Sequence, residues 1–305
     1  MVSAVGVVIT GKNYESFAEK YASLLGYDIG EIQTKIFPDG EYYVRIKKPE
    51  LIHGNKVAII NTMYPRQNDS LLETLMLIDA ARKAGAKHVV VIIPYLAYAR
   101  QDKVFLEGEP VTASIVVKMI RMVGADALVV VDIHSVKTLE DFNGKALNVL
   151  VSDKLVEKAL NILNNPVVIA PDKGALHRAK YAAEKHGLEY DYLVKRRDRI
   201  TGEISIMPKE LRIDGRDIVI IDDIISTGGT IASAARILQS QGARKIIVAA
   251  THGLFIGNAL EKIRSAGIEK IYTANTLGIT HRDPLIETID VSEKVVSEIR
   301  HNNII

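Results

Sequence analysis

The sequence predicts an α/β protein built as two tandem domains, each with a mainly parallel sheet flanked by helices. Three observations predict it. Short runs that are apolar at nearly every position recur along the chain. Longer segments with helical patterning separate several of them. Two stretches, one in each half, repeat one another. Strands covered on both faces must be apolar throughout, and strand–helix–strand in series closes into a parallel sheet with helices on both sides.

The first clear strand is Val57–Ile60, followed by a helical pattern over Ser70–Ala84 and a second strand at Val89–Ile93. Leu128–Val131 is the third. In the second half, strands fall at Val167–Ala170, Ile218–Ile221 and Ile246–Ala250, with a helix over Thr230–Gln241. The repeat joins "VAIINTMYPRQNDSLLETLMLIDAARKAGAKHVVVIIPYL" from Val57 to "IVIIDDIISTGGTIASAARILQSQGARKIIVAATHGL" from Ile218. Ile59-Ile60-Asn61-Thr62 falls where Ile220-Ile221-Asp222-Asp223 falls, and Gly85-Ala86-Lys87 where Gly242-Ala243-Arg244 does. A duplication accounts for this, and so does the general likeness of any two βαβ units. The boundary is expected near Asn148–Ser152. That gives domains over 1–148 and 149–305, with a C-terminal helix near 291–301 packing back on the first.

Composition narrows the function. A chain of 305 residues can fill two cores. A formal net charge of +2 supplies no large basic field, which argues against nucleic acid as a partner. No apolar run nears the roughly 20 residues that span a bilayer, so no membrane partner is expected. Met1-Val-Ser-Ala-Val lacks a basic stretch before a long apolar one, so a cytoplasmic location is expected. Without cysteine, only His, Asp and Glu remain as strong metal ligands. No G-x-x-x-x-G-K-[ST] motif occurs, which disfavours a P-loop kinase.

The most informative stretch is "IVIIDDIISTGGT", Ile218 to Thr230. An apolar strand ends in two carboxylates, then in hydroxyls and glycines that open a helix. Unpaired N–H groups at a helix start favour an anion. Ser226, Thr227 and Thr230 add donors, while Gly228 and Gly229 let the backbone approach a phosphate. Asp222 and Asp223 would repel that phosphate directly, but suit the hydroxyls of an attached sugar a few ångströms away. The bland alternative is a strand-to-helix turn with Asp222 as a cap. In the first copy the corresponding loop, Met63-Tyr64-Pro65-Arg66-Gln67, has no glycine.

Other segments carry chemistry of their own. Pro38, Asp39 and Gly40 are turn residues, which places Phe37 at a loop edge beside two acids, Asp39 and Glu41. Arg100, Gln101 and Asp102 follow a strand closely, and a guanidinium fork can bridge phosphate oxygens. His134 and Asp172 each follow an apolar run, where open α/β sheets bind ligands. A strand-end histidine and a helix cap are the bland readings of these two.

"VIIDDIISTGGT" resembles the ribose-phosphate loop of type I phosphoribosyltransferase folds. "IFPDGE", "YARQD", "VVVDIHS", "APDKGALHRA" and "THGLF" narrow the resemblance to the ribose-phosphate pyrophosphokinase family. They occur in the family's order over nearly the whole chain. The resemblance implies two tandem phosphoribosyltransferase-like domains. It also implies transfer of the diphosphate of Mg–ATP to the C1 hydroxyl of ribose 5-phosphate, with Mg²⁺ as cofactor. Phe37, Asp39, Glu41, Arg100, Gln101, Asp102 and His134 would then serve ATP, and His134 and Asp172 the metal. Lys195 and Arg197 match two cationic positions of a loop that closes over the transferring diphosphate. Asp222, Asp223, Ser226, Thr227, Gly228, Gly229 and Thr230 would hold ribose 5-phosphate. The Phe37 loop would reach a neighbouring subunit, which implies a homo-oligomer of at least two chains, up to a hexamer. Two positions depart from the family pattern: Val104 replaces a basic residue, and Ala175 a second glycine.

Two alternatives compete. A phosphoribosyltransferase that consumes PRPP would need Asp222–Thr230 but not the ATP-type segments. A regulatory relative could keep the fold while losing Lys195, Arg197 or His134, and all three are present.

Overall fold

The structure, a computed structural model, describes residues 6–197, 204–207 and 211–305. The chain forms two compact units. One takes the chain up to Val149 together with Thr276–Gly278 and Ser292–Ile305; the other takes Leu150–Asn275 and Ile279–Val291.

The N-terminal unit begins with β1 (Gly6–Thr10), α1 (Ala18–Leu25) and β2 (Asp28–Ile29). A hairpin follows, β3 (Ile32–Ile36) and β4 (Tyr42–Ile46). Then come β5 (Lys56–Ile60), α2 (Gln67–Lys83), β6 (His88–Ile93), α3 (Thr112–Val123), β7 (Ala127–Val131) and β8 (Lys145–Val149). Leaving out the hairpin, six strands pair in parallel in the order β2-β1-β5-β6-β7-β8. The central strands are buried on both faces, and Leu77, Ile78 and Ala81 of α2 close over one of them.

The C-terminal unit runs α4 (Ser152–Leu160), β9 (Val167–Ala170), α5 (Leu176–His186) and β10 (Glu189–Tyr192). A hairpin of β11 (Val194–Arg197) and β12 (Ile204–Met207) comes next. β13 (Asp217–Ile225), α6 (Gly229–Ser240), β14 (Lys245–Gly253), α7 (Ala259–Ser265), β15 (Lys270–Ala274) and β16 (Ile286–Ile289) complete it. Its parallel order is β10-β9-β13-β14-β15-β16. Counting sheet strands along the chain, both units read 2-1-3-4-5-6. Both also insert an antiparallel hairpin between the second and third. General likeness of βαβ units does not explain a hairpin at the same step of the same strand order. Duplication does.

The last helix, α8 (Ser292–His301), belongs to the first unit. Val295, Val296 and Ile299 are its buried face. Lys20 donates to Glu293 at 2.9 Å, and the Arg300 guanidinium to the Leu24 carbonyl at 2.6 Å. Among the described residues, no helix is long and apolar enough to cross a membrane.

One strand differs from its expected length in a way that shapes the site. Ile218–Ile221 was expected, yet β13 continues to Ile225 because β14 runs on beside it. Asp222 lies opposite Ala250, Ile224 opposite His252 and Ile225 opposite Gly253. The two acids therefore sit inside a hydrogen-bonded ladder, not in a loop.

Candidate active site

In each sheet the chain moves outward from the first strand in one direction and from the third in the other. Such a reversal leaves a crevice at the carboxyl ends of those two strands. In the C-terminal unit they are β9 and β13, and their ends bear Asp172 and the Asp222–Asp223 pair.

Asp172 follows Pro171 beyond β9. Its Oδ1 accepts from the N–H of Gly174 at 2.8 Å and of Ala175 at 3.3 Å, capping the short turn Lys173–Ala175 that leads into α5. The capping geometry read from sequence for Asp172 is thus present. Ala175 is buried without a positive φ, so a glycine is not required there.

Just past that turn, α5 places Arg178 beneath the acids. Arg178 is 2% exposed, and its Nη2 lies 3.7 Å from Oδ2 of Asp223, itself 5% exposed. Asp222 keeps some solvent access, and its Oδ1 accepts from the Asp223 N–H at 2.9 Å. Burial raises Asp222 well above the usual carboxylate range, and the charge and hydrogen bond of Asp223 raise it further. Arg178 pulls the other way, and Asp172 adds to the rise. Burial and the crowding of negative charge around one buried cation thus together lift Asp222.

That shift has a consequence for stability. A carboxyl whose folded pKa is raised contributes stability that is full below its unfolded pKa, near the usual aspartate value. The contribution is lost as pH rises through the folded pKa. Asp222→Asn cannot ionise and so escapes that loss. The variant is expected to melt higher than the parent at neutral pH, with the gain vanishing toward pH 3–4. Thermal unfolding across pH checks this; an equal gain at all pH values contradicts it.

Beyond β13 lies the loop Ser226–Thr230. Its two glycines do different work. Gly228 has φ +73°, and a Cβ there would meet the Ala259 carbonyl oxygen at 2.9 Å and the Ile263 side chain at 3.2 Å. It exists to pack the loop against α7. Gly229 has open space where a side chain would stand, so it is the position that exposes backbone to a ligand. α6 starts at Gly229 with no acidic residue in its first turn, which leaves its N–H groups to an anion. Ser226, Thr227 and Thr230 have solvent access. The structure thus gathers Asp172, Asp222, Asp223 and Ser226–Thr230 at one crevice and adds Arg178, which sequence reasoning missed. The available signal was an arginine among the buried Ala175, Ala179 and Ala182.

The corresponding crevice of the N-terminal unit is filled by its own side chains. Asn61, at the position of Asp222, donates to Glu73 at 2.9 Å and to Thr74 at 3.1 Å. Glu73 also accepts from the Lys12 N–H at 3.3 Å, and burial raises its pKa. This unit keeps the fold of the C-terminal crevice but fills it from within.

The other candidates of that unit lie on separate segments. Phe37, 36% exposed, stands at the tip of the β3–β4 hairpin. Its N–H donates to the Glu41 carbonyl at 2.8 Å, Asp39 caps the Glu41 N–H at 3.1 Å, and Gly40 takes φ +95°. Lys35 covers the Phe37 ring at 4.2 Å, and Tyr43 meets it edge-on. Arg100 is exposed in the loop after β6. Its neighbour Gln101 accepts from the Thr112 hydroxyl at 2.6 Å, and Asp102 is half-buried. His134 is exposed beyond β7, after the buried Asp132 with φ +48°. Lys195 and Arg197 lie on β11, but their side chains fall outside the described residues.

Doubled α/β units, with an acid pair and an acid-free helix start at a strand-order reversal, define a protein of the type I phosphoribosyltransferase class. Residues 6–124 match the N-terminal domain of ribose phosphate pyrophosphokinase, and residues 145–269 match the phosphoribosyl transferase domain. A ribose-phosphate pyrophosphokinase of Sulfolobus acidocaldarius is 40% identical over 298 residues, covering 96% of this chain and 100% of that one. One of Pyrococcus furiosus is 43% identical over 249 residues, 82% of this chain and 87% of that one. The crystal structure of phosphoribosylpyrophosphate synthetase from Mycobacterium smegmatis superposes with a TM-score of 0.86 at 27% identity, covering 97% of this chain and 98% of that one. The chain belongs to the ribose-phosphate pyrophosphokinase family and is a diphosphotransferase.

Proposed function

We propose that the C-terminal unit holds ribose 5-phosphate at the β9–β13 crevice and that the N-terminal unit supplies contacts to ATP. The family's reaction moves the β,γ-diphosphate of ATP to ribose 5-phosphate. The C1 oxygen bonds to the β-phosphorus, the bond from that phosphorus to the oxygen of AMP breaks, and PRPP and AMP form. Such a displacement needs alignment and charge neutralisation, not a protein nucleophile. The observation that carries the sugar assignment is the Asp222–Asp223 pair beside an acid-free helix start. Phosphate takes the N–H groups and hydroxyls of Ser226–Thr230, and the ribose hydroxyls donate to the acids.

Mg²⁺ is the cofactor this reading takes from the family. Among the described residues, no group of three or more His, Cys, Asp or Glu is placed to hold a metal. That fits a cation that keeps most of its water, rides on substrate phosphates and takes one or two protein ligands. His134 and Asp172 are the residues we assign to it. Held there, Mg²⁺ would supply charge neutralisation on the phosphate oxygens. Arg100, Gln101 and Asp102 line the nucleotide, Lys195 and Arg197 meet the transferring diphosphate, and the enzyme works in the cytoplasm as a homo-oligomer.

Steady-state kinetics with each substrate varied tests the sugar site. Asp222→Asn and Asp223→Asn each remove a charged acceptor, which costs about 1.5–3 kcal/mol. The KM for ribose 5-phosphate is expected to rise about 10- to 100-fold while the KM for ATP stays nearly unchanged. A change confined to ATP would overturn the assignment.

Phe37 carries the second expectation. An exposed aromatic at a hairpin tip contributes little to a core but suits stacking on a base, with Asp39 or Glu41 accepting from its exocyclic amine. Phe37→Ala is expected to raise the ATP KM about tenfold and to spare ribose 5-phosphate, the loss of one stacking contact. Mixed with Lys195→Ala after demonstrated subunit exchange, it restores activity if one chain's hairpin serves another's site. Exchange without restored activity refutes the shared site.

A further inference from the structure

The backbone that enters the phosphate loop is pinned from one side. The N–H groups of Leu254 and Phe255 both donate to the Ile225 carbonyl, at 2.9 and 3.2 Å, and that of Ile256 donates to the Ser226 carbonyl at 2.9 Å. These three bonds fix the chain immediately before Thr227–Thr230. The segment that makes them turns sharply, because Phe255 has φ +49°, a conformation that aromatic residues rarely adopt.

Two neighbours hold Phe255 there. Gly253 lies against its ring: a Cβ at that position would come within 2.6 Å of Phe255 Cε2 and 2.7 Å of Thr273 Cγ2. His281 closes another side, its ring meeting Phe255 edge-on with centroids 5.0 Å apart and planes at 86°. Its ring N–H donates to the Gly253 carbonyl. Burial holds the imidazole below its ordinary pKa. Every one of these residues belongs to the C-terminal unit.

We propose that Phe255 and His281 are positioning residues for ribose 5-phosphate: the ring pair holds Leu254–Ile256 against the end of β13, and thereby sets the donors of Ser226–Thr230 on the phosphate. The inference rests on reading that loop as the ribose 5-phosphate site, and it concerns residues that act through the loop.

KM values for both substrates, measured for three variants, test it. His281→Ala loses ring and donor, and is expected to raise the ribose 5-phosphate KM about tenfold, one hydrogen bond's equivalent, with the ATP KM unchanged. His281→Gln keeps an N–H for Gly253 and is expected to recover most of that loss. Thr227→Ala serves as the control on the loop itself. A rise for Thr227→Ala without one for His281→Ala sinks the clamp and leaves the site assignment standing. No rise for either sinks the site assignment as well. Equal rises in both KM values for His281→Ala reduce His281 to general support of the fold and overturn the proposal. If His281→Ala does not fold, His281→Phe, which keeps an edge on Phe255 without the donor, carries the same comparison.

Discussion

Lys195→Ala and Arg197→Ala are each expected to lower kcat by about 10²–10³-fold with only modest changes in either KM. The transferring diphosphate gains charge on its bridging and equatorial oxygens as the bond to AMP breaks, and cations aimed at that charge act in the transition state. Groups of that kind lower kcat and kcat/KM together. The backbone gives both residues a common station. β11 pairs with β12 as an antiparallel ladder, position 195 opposite Ile206 and position 197 opposite Ile204. Near-normal kcat in either variant, with the chain folded by circular dichroism, removes that residue from the catalytic assignment.

Arg178→Ala is expected to be the most damaging single change in the C-terminal unit. Arg178 and Asp223 are both buried and 3.7 Å apart, with Asp222 beside them. Removing one partner of a buried pair leaves an uncompensated charge, a loss of about 3–5 kcal/mol. Without the guanidinium the acids also lose the cation that positions them and lowers Asp222, so activity falls as well. Arg178→Lys keeps the charge but not the fork, and is expected to recover part of both. Urea unfolding reads the stability term. A loss under about 1 kcal/mol, the scale of an exposed pair, would show that Arg178 does not compensate the acids.

The sequence announced β5, β6, β7, β9, β13 and β14 because they are covered on both faces and have no polar side to hide, while the equally interior β1 and β15 went unread. Edge elements were silent for the opposite reason. β2 is two exposed residues, and β10 is Glu189-Tyr190-Asp191-Tyr192, a polar strand with solvent access. The end of β13 was misplaced because carboxylates ordinarily mark a loop, whereas here the ladder with β14 and the buried Arg178 accommodate them. The acid pair and the Ser226–Thr230 loop were legible as residue types in sequence order. Arg178 and His281 were not, since only folding brings them to Asp223 and to Phe255. The separate duties of Gly228 and Gly229 depend on what packs against each, which the sequence order does not reveal.

Phosphorus NMR of the purified protein with Mg²⁺, ATP and ribose 5-phosphate tests the diphosphate transfer most directly. The expected spectrum loses ATP and gains AMP and PRPP in equal amounts, with the diphosphate resonances of PRPP appearing as the β- and γ-phosphates of ATP disappear. ADP with a ribose bisphosphate would mean transfer of a single phosphoryl group, and unchanged substrates would mean no transfer. Either result would contradict the account.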